Sequence, residues 1–150
     1  MNTLLYRCAA IWTVIGLVSG LGYRELTRAQ GWEGRTQLAV VHTHTLVLGT
    51  IFFLLLLALN EVFRLEEERN FRIGVGALNV GLAITTTMLA VKGSLQVLGN
   101  SAADSPAISG ISGLGHITLT AAFLLLFMAI GARVRAGSGT IEERQEAVRA

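Results

Sequence analysis

Four long apolar runs, at residues 8–23, 38–59, 73–98 and 106–132, constrain this chain more than any other feature. A helix rising about 1.5 Å per residue needs about 20 apolar residues to cross a hydrocarbon core, and four segments of this length predict four crossings. The composition agrees: 52% of residues are hydrophobic and 15% charged, with mean hydropathy +0.58, where a soluble domain carries about a quarter charged residues. Sandwiches, barrels and doubly wound folds are excluded. The predicted fold is all-α, an integral membrane four-helix bundle at 1–135 with a polar cytoplasmic tail at 136–150. The tail opens with Gly137-Ser138-Gly139 and is predicted to include a short polar helix at 141–148. The connections at 24–37, 60–72 and 99–105 are too short for a second domain and make consecutive helices antiparallel neighbours.

The single cysteine, Cys8, has no intramolecular disulfide partner, and the single proline, Pro106, leaves the runs nearly free of helix breakers. Arg7 ahead of an apolar stretch ending in Ser19-Gly20-Leu21-Gly22 has the outline of a secretory signal. The apolar character continues to Tyr23, however, and Gly16 with Gly20 forms the small-xxx-small spacing of packed membrane helices. A retained first helix is the better reading. A net charge of +2 does not indicate nucleic acid, because the arginines stand at the ends of apolar runs. With the amino terminus inside, Arg7, Arg64, Arg69, Arg72, Arg133, Arg135, Arg144 and Arg149 fall on the cytoplasmic side, and Arg24, Arg28, Arg35 and Lys92 outside. This bias predicts both termini in the cytoplasm. Glu66-Glu67-Glu68 reads as a solvated loop run.

All three histidines, His42, His44 and His116, lie inside predicted spans, where a polar side chain is costly and is a functional hypothesis by default. If the second helix starts near Thr36, His42 and His44 lie roughly 9 to 12 Å from its outer end. Ser105 is a good N-cap and Pro106 suits the first helical position, which puts His116 roughly 15 Å in. The three imidazoles are thus predicted at one level in the outer half of the bilayer. One buried histidine more often only bonds across helices; three at one level point to ligation of a metal or of haem.

His42 and His44 are two residues apart and project on faces about 200° apart, so on a regular helix they serve different centres. No carboxylate or cysteine cluster completes a tetrahedral metal site beside them. Haem b suits these residues better: its apolar macrocycle gains from burial, it takes axial imidazoles from separate helices, and its propionates need cations at the water boundary. Arg24, Arg28, Arg35 and Lys92 are the candidate cations. Gly110, Gly113 and Gly115 along helix four, with Gly49 after His44, are candidate neighbours for a flat plate. On helix three, beyond Thr85-Thr86-Thr87, the residues Met88, Lys92 and Gln96 follow i, i+4 spacing; Met88 reads as core and Lys92 as snorkelling to the surface. The alternative cofactor is copper, bound or transported through a path lined by His42, His44 and His116. A third reading makes the histidines purely structural, in an assembly partner. No catalytic step is assigned.

The stretch Val40-Val41-His42-Thr43-His44-Thr45-Leu46-Val47-Leu48-Gly49-Thr50-Ile51-Phe52-Phe53, with Gly113-Leu114-Gly115-His116, resembles a prokaryotic family of small four-span membrane proteins of unknown function, which implies a prokaryotic inner-membrane location. More distantly, the chain is similar to one four-helix arc of the haem–copper oxidase catalytic subunit, in which a His-x-His pair on the second helix of an arc binds two haems. That resemblance implies a homotrimer of twelve spans in which His42 of one protomer faces His44 of the next across each interface, holding a bis-histidine haem b. It also implies electron transfer with a redox partner or quinol, or redox or gas sensing. The chain lacks the adjacent-histidine and histidine–tyrosine features that build the oxidase copper centre. His116 has no counterpart in that motif and is left as an alternative axial ligand within one chain, a donor behind the ligands, or a separate site.

Overall fold

A computed structural model describes the backbone of residues 1–149 and the side chains of 1–136. Four helices carry the chain: α1 (Asn2–Ala29), α2 (Gln37–Phe63), α3 (Arg69–Val97) and α4 (Pro106–Arg149). All four are long and apolar enough to cross a membrane, α4 over Pro106–Ala136, as the four runs predict. The side chains of the polar tail lie almost wholly outside the described residues.

Antiparallel neighbours pack as the short connections require, α1 on α2 and α3 on α4. Helix α3 touches all the others and is the most buried, whereas α1 and α4 do not meet among the described residues. The four helices therefore form an open strip. Small residues set the close approaches. A Cβ on Gly16 would stand 2.7 Å from Leu46 Cδ2, and one on Gly49 would run into Trp12. The core follows from this packing: Leu5, Phe53, Leu56, Phe71, Leu78, Leu82 and Leu126 are fully buried. Some polar groups pair across helices, Trp12 Nε1 donating to Asn79 Oδ1 at 3.0 Å and Asn79 Nδ2 to Cys8 Sγ at 3.4 Å.

The α2–α3 connection is tied down at the amino-terminal end of the strip. Arg64 caps α2 in the left-handed conformation (φ 53°), a role more often filled by glycine. The acidic run does more than the solvated reading allows. Glu66 pairs with the terminal amine at 3.5 Å, and its N–H donates to buried Asn60. Arg133 of α4 bonds Glu67 at 2.8 Å, and its Nε donates to Phe63 O at 2.9 Å.

Candidate functional site

The opposite end carries the histidines, and their positions follow from how α2 and α4 begin. Thr36 caps α2: its Oγ1 accepts from Leu38 N at 3.2 Å and donates to Gly93 O at 2.8 Å, pinning the start of α2 onto α3. The first turn, Gln37–Val40, is a 3-10 turn, which rises faster than an α-helix, so His44 lies roughly 14 Å beyond the cap. Ser105 caps α4 as its sequence position predicts, Oγ accepting from Ala107 N at 3.3 Å. His116 is then about 16 Å along, on a level with His44.

The three imidazoles are not equivalent. His44 Nδ1 stands 2.9 Å from Val40 O, and His116 Nδ1 stands 2.9 Å from Ser112 O. A carbonyl only accepts, so in each ring Nδ1 is the donor and the neutral ring keeps its lone pair on Nε2. His116 is exposed and His44 partly so. His42 turns the other way, against α1: a Cβ on Gly20 would lie 3.6 Å from its Cβ, and its Nδ1 is buried without a partner. The opposite-face geometry expected of His42 and His44 is present, both residues lying in the α-helical turn Val41–His44.

Below His44, residues Thr45–Ile51 form a π-helix. In an unbroken α-helix Phe52 would sit about 80° around from His44. The wider π turns take up part of that rotation and aim Phe52 at α4, where its ring meets Phe123 at 5.1 Å between centroids and 60° between planes. On α4, Phe123 follows His116 by seven residues, which returns to within about 20° of the same direction. Among the described residues α4 approaches α2 only along Phe52–Phe63, with no backbone proximity to Gln37–Ile51. His44 and His116 thus lie beyond the phenylalanine pair, on stretches of α2 and α4 whose backbones do not approach each other.

The candidate cations separate by position. Arg35 lines a cavity of about 320 Å³ with Thr36, Gln37, Val40 and Gln96, one turn beyond His44, and also a larger one of about 380 Å³ with Trp32, Asn100, Ser101 and Asp104. Arg24 and Arg28 are exposed near the end of α1, Arg24 lying 3.9 Å from Glu25. Lys92 is half-buried on α3. Gln96 Oε1 accepts from Gln37 N at 2.8 Å, joining α3 to the start of α2. Met88 lies with Ala83, Ile84, Thr87 and Ile111, and Ile111 is about 140° around α4 from His116, so Met88 is remote from the imidazoles.

Packing assigns two of the candidate glycines. Gly49 accommodates Trp12, and a Cβ on Gly115 would stand 2.5 Å from Thr85 Oγ1, so both serve helix contacts; a Cβ on Gly110 or Gly113 would meet nothing within 4 Å. The sequence reading also missed the π stretch, the Phe52–Phe123 pair, and the unpartnered buried groups Trp32 Nε1 and Thr85 Oγ1. A polar threonine amid apolar residues was the available signal for the last. Among the described residues no three His, Cys, Asp or Glu side chains gather closely enough to hold a metal ion.

The architecture defines a class of all-helical proteins with four membrane-length helices and a histidine layer toward one end. Residues 1–133 match the family described as protein of unknown function DUF2871, and the chain belongs to that family. No curated protein and no solved structure matches it.

Proposed function

We propose that the protein is a membrane haem b protein that transfers electrons near the outer face of the membrane, working as a homotrimer with both termini in the cytoplasm. The observation that carries this reading is the matched state of His44 and His116: same level, with Nδ1–H held by the preceding turn's carbonyl so that the lone pair falls on Nε2. A ring restrained in this way is prepared to ligate through Nε2, because the hydrogen bond fixes its tautomer and its orientation. His44 and His116 would hold the haem, which would supply a one-electron Fe(III)/Fe(II) couple; with two imidazole ligands no site would remain for a substrate, which favours electron transfer over catalysis. The open strip leaves apolar faces such as Val14, Leu17 and Val18 of α1 and Leu124 and Phe127 of α4 exposed, and a closed ring of copies would cover a share of them.

The test is a visible spectrum of detergent-purified protein expressed with added haem precursor, oxidised and then reduced with dithionite. A Soret band with sharp α and β bands on reduction is expected. Colourless protein would end the haem reading and redirect effort to metal analysis, since copper binding or transport by His42, His44 and His116 is the runner-up.

A further inference from the structure

Resting on the haem reading above, we infer that the axial pair lies within one chain, His44 with His116 across the groove between α2 and α4, and that Arg35 binds the propionate end. This differs from pairing His42 with His44 across an interface. His42 is turned onto α1 at Gly20, whereas His44 and His116 sit on the stretches of α2 and α4 that part beyond Phe52 and Phe123.

Helices in direct contact lie about 8 to 10 Å apart, too close for a macrocycle with an imidazole on each side. Here α2 and α4 meet at Phe52 and Phe123, and the Gln37–Ile51 part of α2 stays clear of α4, so separation is available at the level of the two histidines. The aromatic pair forms an apolar floor. The groove's other end is polar: Val40, whose carbonyl holds His44, also lines the cavity shared by Arg35, Gln37 and Gln96. A plate standing between the imidazoles, with its apolar edge toward Phe52 and Phe123, directs its carboxylates to that cavity. Arg35 is the cation that lines it; Arg24 and Arg28 belong to α1.

The test compares spectra and reduction potentials of purified single variants, with circular dichroism to confirm folding. His44→Ala and His116→Ala are each expected to lose the six-coordinate low-spin spectrum, while His42→Ala keeps it. His116→Met retains a weaker axial ligand and is expected to stay coloured with a raised midpoint potential. Arg35→Gln, which removes a cation beside the propionates, is expected to lower the potential, and Arg24→Gln to leave it unchanged. A low-spin spectrum that survives His116→Ala but collapses with His42→Ala overturns the intramolecular pair and leaves the haem reading intact. An unchanged potential in folded His116→Met overturns it too. Colourless wild-type protein sinks both.

Discussion

Where Gly49 meets Trp12 and Gly115 meets Thr85, the helices approach so closely that one methyl group has no room. Overpacking of this kind costs about 1–3 kcal/mol, so Gly49→Ala and Gly115→Ala are expected to lower the melting temperature in detergent. Gly113→Ala is the control: a Cβ there meets nothing within 4 Å, and the gain in helix propensity, up to about 1 kcal/mol, is expected to hold or raise stability. A Gly113→Ala loss equal to that of Gly115→Ala would show that the packing has been misread. The glycines were visible in the sequence, but their use was not. Which atom a glycine admits depends on the rotation of the neighbouring helix, and periodicity along one helix carries no information about that. The histidines were more legible, because burial of a titratable ring in lipid has few explanations. The division between an inward His42 and two outward rings came only with the hydrogen bonds to Val40 O and Ser112 O.

Helix α2 is where element-level reasoning fell short. Its span and its start at Thr36 were legible from hydropathy and capping chemistry, yet the helix passes through 3-10, α, π and α geometry in turn. No proline forces the change. The π stretch coincides with the close approach of Gly49 to Trp12, a tertiary contact that local sequence does not encode. Its effect is to set the phase between His44 and Phe52. Deleting Val47, an exposed residue within the stretch, is expected to restore a regular ladder with helix content preserved, to swing Phe52 away from Phe123, and to abolish the low-spin spectrum. Retention of that spectrum would show that the phase is irrelevant to the site. Thr36 makes a second prediction at this scale. Thr36→Ala removes both the cap to Leu38 N and the bond to Gly93 O, and is expected to cost about 1–2 kcal/mol in thermal unfolding.

At the scale of the whole molecule, hydropathy was enough for four crossings, and the short connections were enough for the antiparallel pairs. The tie of Arg133 to Glu67 and Phe63 O was not legible, because it joins residues far apart in sequence whose charges look solvated when read locally. Orientation and assembly are the remaining questions, and each has its own experiment. Cys8 is the only cysteine, so Cys8→Ser yields a background in which Ser101→Cys and Glu66→Cys report the two ends. The arginine bias predicts that an impermeant maleimide labels the first in intact cells and spares the second; the reverse pattern inverts the topology. The proposed assembly draws on the strip. Because α1 and α4 lie at its two edges and their backbones do not approach among the described residues, joining the α1 edge of one copy to the α4 edge of the next would be a head-to-tail contact, which must close into a ring or run on as a filament. A ring of three puts twelve helices around one axis and covers both edges of every strip. Native mass spectrometry is therefore expected to give three times the 16.0 kDa chain mass. Adding a charge to the exposed α4 face with Leu124→Lys is expected to release monomers that keep their haem, since His44 and His116 belong to one chain. Haem lost in step with dissociation would place a ligand across the interface instead.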